Sequence, residues 1–183
     1  MAMSEKDPGN SNRGWREGAI SAVSAGLFFV LVGVIVVINQ NLWTEIKDFG
    51  NDLTTAKAGN SSVQLPIPAT PAAHTTLYST AFQFALGIAV LQIVILAIQL
   101  IIGSRTRRIA ETVGSLVFWF GAASLLNNLA GMKSALALNQ QQTIWFQFWA
   151  AIIILFGVSL IARAVVILAA KRFTRFSHEP LST

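Results

Sequence analysis

Six polar side chains stand within or beside long apolar runs, and two of them are charged. Arg163 is the one charge in the apolar run 144–170, and Glu111 stands just before the run 113–132. A guanidinium at membrane depth either reaches the interface along its own stem or pairs with a carboxylate. Arg163 therefore snorkels or pairs with Glu111, and a place in an ion or substrate path is a third interpretation. The other four polar residues are amides, namely Gln92, Gln99, Asn127 and Asn128.

These four amides are expected to hydrogen-bond across helices. An amide in lipid gains about 0.6–2 kcal/mol when it finds such a partner. Bonding between helices is the structural interpretation, and lining a polar pathway is the functional one.

The sequence offers no set of side chains for catalysis, cofactor binding or metal binding. It contains no cysteine and two histidines, His74 and His178, which fall in segments predicted on opposite sides of a membrane. No nucleotide-binding or protease motif occurs, and no nucleophile, base and orienting group can be assembled on one side. The expected protein is not an enzyme and has no cofactor; a membrane enzyme would need a pocket with a bound cofactor.

Composition indicates which elements position these polar residues. The chain has 183 residues, of which 54% are hydrophobic and 11% charged, and its mean hydropathy is +0.59. Soluble domains carry about 25% charged residues. A helix needs about 20 apolar residues to cross a hydrocarbon core of about 30 Å, and continuous apolar runs favour helices over a barrel. We therefore predict an all-α, four-helix transmembrane bundle with spans 19–38, 81–103, 113–132 and 144–170.

The distribution of basic residues predicts how the spans are oriented. Nine Lys and Arg residues fall in the tails 1–18 and 171–183 and in the connection between the second and third spans, against three in the other two connections. The positive-inside rule then places both termini in the cytoplasm of a multi-pass protein of the cell membrane. The formal net charge of +5 is attributed to the basic residues that orient the spans, and no nucleic-acid partner is expected. The first run exceeds the roughly 7–15 apolar residues of a signal peptide, so we predict a retained helix.

The connection 39–80 is predicted to lie outside the membrane. Leu42, Ile46, Phe49 and Leu53 share one helical face, which predicts an interfacial helix or an extension of the first span. The proline-rich stretch 64–71 predicts extended chain. Asn60 begins a glycosylation sequon whose modification is left open. Five aromatic residues are expected near the outer interface, namely Trp43, Tyr78, Phe82, Trp145 and Trp149.

Small residues recur at seven-residue spacing in the predicted spans. Such stripes suit left-handed helix packing, although ordinary small residues of membrane helices give the same pattern. A second pattern, Gly18, Ala22 and Gly26, could seat a contact with another chain. The glycines assigned to helix packing are Gly26, Gly33, Gly114, Gly121 and Gly157.

Several stretches resemble those of four-span integral membrane proteins of archaea to which no activity is assigned. They are REGA at 16–19 with GLFF at 26–29, PATPAAH at 68–74, AET at 110–112 with VFW at 117–119, and WFQFWA at 145–150. The resemblance implies a four-span topology and carries over no functional residue.

The expected function is that of a non-enzymatic accessory or structural subunit. Its partners would be the lipid bilayer and either further copies of the chain or a larger membrane complex. The alternative is a small ion or solute conduit lined by Gln92, Asn127, Asn128 and the pair Arg163 and Glu111. A subunit would bury its polar groups against other helices and leave a small-residue face free, whereas a conduit would gather them around one water-accessible cavity.

Overall fold

Helices make up most of the chain. The computed structural model describes residues 8–57 and 64–176, with the backbone alone at 8–17, 19–21 and 173–176. Within these residues the helices are α1 (Pro8–Ile38), α2 (Leu42–Asn51), α3 (Thr75–Ile102), α4 (Thr106–Ala130) and α5 (Leu138–Phe176). A two-stranded sheet, β1 (Leu53–Lys57) with β2 (Gln64–Pro68), and a 3₁₀ turn (Pro71–His74) lie between α2 and α3. The predicted all-α class is confirmed, apart from this small sheet.

Within residues 8–57 and 64–176, three segments are long and apolar enough to cross a membrane. They are the 3₁₀ turn with α3, the helix α4, and α5 through Arg172. Ala22–Ile38 and α2 are also apolar enough when taken together, but their axes meet at 83° across a short break. They would add a fourth crossing if the two helices form one broken span. The helices are therefore compatible with a membrane protein, while the four-span topology with both termini inside stays a prediction.

The helix bounds follow from local signals. α1 begins at Pro8, inside the predicted tail 1–18, and proline is favoured at the first helical position. α3 ends at Gly103, whose φ of 68° is left-handed, and the Ser104 amide donates to the Gln99 carbonyl at 2.9 Å. α5 has 39 residues and is about 58 Å long, so it extends well beyond a core of about 30 Å.

The long helices pack in a row that follows chain order. α1 packs on α3, α3 on α4, and α4 on α5, and no comparably extensive contact joins other pairs of these helices among the described residues. The Phe84 ring on α3 illustrates the order, because it contacts Phe28 of α1 and Trp119 of α4 at centroid distances of 6.1 and 6.2 Å. The closed four-helix bundle is therefore not confirmed, and the described helices form an open row.

The surface of this row is apolar. Phe29, Val37 and Ile153 are each at least 72% exposed. In water such exposure would be costly, whereas in lipid an exposed apolar side chain loses nothing. The exposure pattern is thus the one that membrane helices require.

The elements between α1 and α3 form a cap together with the connection 131–137, which joins α4 to α5. We define the cap as α2, β1, β2, the 3₁₀ turn and residues 131–137. The strands are antiparallel and pair Leu53 with Pro68 and Lys57 with Gln64. In a two-stranded sheet each strand is an edge, so β2 tolerates its prolines. The predicted helix from Leu42 is present. The chain predicted to be extended at 64–71 is extended over β2 (Gln64–Pro68), whereas Pro71 begins the 3₁₀ turn. Strand β1 was not predicted, because Leu53 had been assigned to the helical face.

A buried apolar cluster lies between the cap and the adjacent ends of α3, α4 and α5. It ties the cap to α5, because Trp145 Nε1 donates to the Pro66 carbonyl at 3.3 Å and Gln141 Oε1 accepts from the Ala72 amide at 3.1 Å. The cluster consists of Ile67, Tyr78, Leu129, Met132 and Trp145. Tyr78 and Trp145, which were predicted near the outer interface, are both buried in this cluster, and their depth in a membrane stays a prediction.

Candidate functional site

Glu111 and Arg163 meet at the basic end of the row, which we define as the end carrying Arg105, Arg107, Arg108 and Lys171. Arg163 Nη2 lies 3.5 Å from Glu111 Oε1. Arg107 Nε donates to the same oxygen at 3.2 Å. One carboxylate therefore serves two guanidiniums. The contact agrees with the pairing interpretation of Arg163, while a role for the pair in function stays a prediction.

Gly114 allows the Arg163 stem to lie against α4. A β-carbon at position 114 would overlap Cγ and Cδ of Arg163 and would stand 3.0 Å from the Ser159 carbonyl oxygen. The buried Ser159 hydroxyl is satisfied within α5, since it donates to the Phe156 carbonyl at 2.7 Å. Gly121 admits Leu155 in the same way. Gly114 and Gly121 thus lie at close contacts between α4 and α5, as expected for helix packing.

A groove opens beside this ion pair. Its volume is about 320 Å³, and its walls combine the two charged groups with apolar side chains. The residues that line it include Glu111, Gly114, Ser115, Phe118, Phe156 and Arg163. The groove can therefore hold a molecule that has an apolar part and an anionic part.

Gln99 bonds across helices. It is buried, and its Oε1 accepts from the Thr112 hydroxyl at 2.9 Å, which joins α3 to α4. The Thr112 hydroxyl also lies 3.1 Å from the Arg108 carbonyl, so its proton has a second acceptor within its own helix. Thr112 was not predicted as the partner, although it precedes an apolar run just as Glu111 does.

The other three amides lie elsewhere. Gln92 is half-buried on α3, whereas Asn127 and Asn128 are exposed toward the cap end of α4. Asn128 lines a separate groove of about 210 Å³ together with Gln147. Among the cavities formed by described residues, Asn128 thus lines one and the pair Glu111 and Arg163 another.

Three of the predicted packing glycines have open surroundings. A β-carbon at Gly26, Gly33 or Gly157 would meet no described atom within 4 Å. The helix packing predicted at these positions is therefore not made within the described part of one chain. It stays a prediction for a contact with another chain.

A second polar clamp, not predicted from the sequence, fixes α1 to α3. The Thr80 hydroxyl donates to Asn39 Oδ1 at 3.0 Å. Asn39 Nδ2 donates to the Ile35 carbonyl at 3.0 Å and lies 3.3 Å from Gln83 Oε1. Its sequence signal is weak, since Asn39 is simply the first polar residue after an apolar run.

The cap contains an acid–histidine pair that the sequence did not indicate. Asp52 Oδ2 accepts from the Thr70 amide, from the Thr70 hydroxyl and from His74 Nε2, each at 2.9 Å. His74 is 5% exposed, and its ring stands edge-on to Phe49 at a centroid distance of 5.2 Å. Asp52 and His74 are far apart in sequence, so only the folded cap brings them together.

Hydrogen bonding keeps Asp52 ionised. Burial by itself raises the pKa of this carboxyl, but the donors from Thr70 and His74 outweigh burial and hold the pKa below its ordinary value of 3.8. Tyr78, one helical turn after His74, is buried and its hydroxyl has no hydrogen-bond partner among the described residues. The hydrogen bonds from Thr70 and His74 to Asp52 anchor the 3₁₀ turn to the end of α2.

No group of three or more His, Asp or Glu side chains that could hold a metal occurs in residues 8–57 and 64–176. The absence of a metal site from the chain stays a prediction. The sequon at Asn60 and the second histidine, His178, lie outside the described residues.

Comparisons with known proteins identify no relative. No family model, no curated protein and no solved structure matches the chain. The resemblance to archaeal four-span membrane proteins therefore stays a prediction.

Proposed function

We propose that the chain is a non-enzymatic accessory or structural subunit of a membrane assembly. The observation that carries this proposal is the one-sided packing of α1. Among the described residues, α1 packs on α3 and makes no comparably extensive contact with α4 or α5. Its remaining surface combines exposed Phe29, Val30 and Val37 with the open glycines Gly26 and Gly33. Small residues let two helix backbones approach closely in lipid, where dispersion contacts drive association.

The placement of the polar side chains supports the same proposal. Gln99 bonds to Thr112 between α3 and α4, and Arg163 pairs with Glu111 between α4 and α5. Each pair joins two neighbouring helices, which is the use of polar groups expected of a structural protein. A conduit would instead gather them around one cavity.

Gentle detergent extraction followed by native mass spectrometry tests the proposal. We expect the chain in a stoichiometric complex, either with further copies or with another membrane protein. Gly26→Leu together with Gly33→Leu should dissociate that complex, because both side chains would occupy the surface of α1. Gly157→Leu is the matched control, since Gly157 is equally open but lies on α5.

A lone chain would contradict the proposal. Ion or solute flux through liposomes containing only this chain would, in addition, establish the conduit. Equal dissociation by the α1 variants and by Gly157→Leu would show that α1 is not the specific contact.

A further inference from the structure

A continuous seam runs between α4 and α5 at the basic end. On α5 its residues recur at spacings of three or four, which places them on one helical face. They are Phe156, Leu160, Arg163, Ile167 and Lys171. Arg107, Glu111, Gly114 and Phe118 form the facing side on α4. The seam is therefore one linear feature of the surface.

Two grooves follow each other along this seam. The first, about 320 Å³, lies farther from the helix ends. Its walls contain Phe118, Phe156 and Leu160 as well as the pair Arg163 and Glu111. The second, also about 320 Å³, is lined by Thr106, Arg107, Ile167, Ala170 and Lys171 at the helix ends. Both grooves are mostly apolar, and the cations Arg107 and Lys171 lie nearer the ends of the helices than Phe118, Phe156 and Leu160 do.

The charges along the seam favour an anion. Among the described residues, Arg107, Arg163 and Lys171 line it together with one carboxylate, Glu111. That carboxylate is already shared by two guanidiniums. α4 also begins at Thr106, so the positive end of its helix dipole faces the second groove.

The length of the seam matches one leaflet of a bilayer. Phe156 and Lys171 are separated by about 22 Å along α5 at 1.5 Å per residue. Half of a bilayer measures about 20–22 Å when its headgroups are included. A free phosphate would use only the second groove, which contains Arg107 and Lys171, whereas a phospholipid would use both grooves.

We propose that this seam binds an anionic phospholipid, with its phosphate at Arg107 and Lys171 and one acyl chain along Phe118 and Phe156. Basic pockets between membrane helices are suited to such headgroups. Arg163 lines the groove that would take the acyl chain, and its guanidinium would contact the glycerol and ester oxygens. The inference does not depend on the proposed subunit function.

Lipid titration of the full chain in neutral detergent, read by native mass spectrometry, tests this site. The probes are dioleoyl phosphatidylglycerol, dioleoyl phosphatidylcholine and inorganic phosphate. We expect phosphatidylglycerol to bind at least ten-fold more tightly than phosphatidylcholine, and inorganic phosphate at equal concentration not to displace it. Equal binding of the two lipids, or displacement by phosphate alone, would overturn the proposal.

Two variants locate the site. Arg107→Gln with Lys171→Gln should weaken phosphatidylglycerol binding about 25-fold, since each cation near a lipid headgroup contributes about a five-fold factor. The control Lys47→Gln with Lys57→Gln makes the same charge change at exposed positions of the cap and should alter binding less than two-fold. Equal losses in the two double variants would show diffuse attraction and no site.

The first groove, which Ser115 lines, is tested separately with Ser115→Phe. The added ring fills the groove without changing any charge. Binding of dioleoyl phosphatidylglycerol should fall at least five-fold. Unchanged binding would show that the acyl chain does not occupy this groove. If this variant does not fold, the charge variants and the phosphate competition still decide the proposal.

Discussion

Gly114 and Arg163 meet at one point of the contact between α4 and α5: the stem of the arginine fills the space that a β-carbon at position 114 would occupy. The close approach of the two helices therefore depends on a residue without a side chain. The same contact places the guanidinium within 3.5 Å of Glu111.

Gly114→Ala should destabilise the protein by about 1–3 kcal/mol, since the added methyl group overpacks the contact. In an Arg163→Ala background the cost should fall, while the Ser159 carbonyl at 3.0 Å keeps it above zero. Denaturant unfolding in micelles measures both values. Gly157→Ala is the control, because its surroundings are open and alanine favours a helix by roughly 0.5–1 kcal/mol. Equal effects at positions 114 and 157 would refute the overlap.

Glu111→Gln and Arg163→Gln should be non-additive. The two side chains are 44% and 41% exposed, so a coupling of only about 0.5–1 kcal/mol is expected. A double-mutant cycle on the free energy of unfolding measures it. Additivity would mean that Arg163 gains nothing from the carboxylate and only snorkels.

Asp52→Asn should destabilise the cap at neutral pH by about 2 kcal/mol, because three donors would lose a charged acceptor. The folded-state pKa of Asp52 is lowered from 3.8, so the contribution of the carboxylate is complete above about pH 4 and is lost as the pH falls through the folded value. Stability of the parent protein should therefore hold from pH 7 to 5 and fall below about pH 4.

Unfolding followed by near-ultraviolet circular dichroism across this pH range provides the measurement. The Asn variant should lose the Asp52 part of the acid response. Asp48→Asn is the control, since Asp48 is exposed on the same helix and its loss should cost less than about 0.5 kcal/mol. An identical acid response in parent and Asp52→Asn would contradict the assignment.

Gly103→Ala should destabilise by about 1 kcal/mol, because the residue that ends α3 has a φ of 68° and alanine is strained there. Gly50→Ala is the contrasting control, since Gly50 lies inside α2 with open surroundings. Thermal unfolding of the two variants should shift in opposite directions. A shift of the same sign for both would contradict this account of the α3 end.

Hydropathy was sufficient to predict α3, α4 and α5, because membrane helices carry their signal in local composition. It did not predict how they pack, since lipid-facing and helix-facing side chains are equally apolar. Gly114 and Gly121 of the seven-residue stripe lie at contacts between α4 and α5, whereas a β-carbon at Gly26 or Gly33 would meet no described atom within 4 Å.

The cap was less predictable for a different reason. Strand β1 depends on pairing with β2, and Asp52 and His74 stand on either side of that strand pair in the sequence. Tyr and Trp are the residue types of an interfacial belt, and the same types are common in buried aromatic clusters such as the one that contains Tyr78 and Trp145. Their position is decided by non-local contacts that periodicity does not encode.

The open row has a consequence for biogenesis. Each long helix packs on the one that precedes it in the row, so a helix leaving the insertion machinery finds its neighbour already in place. Assembly of the row can therefore keep pace with translation. The exception is the closure of the cap: the hairpin must wait for Trp145, whose indole reaches the Pro66 carbonyl, and that step should be the last to complete.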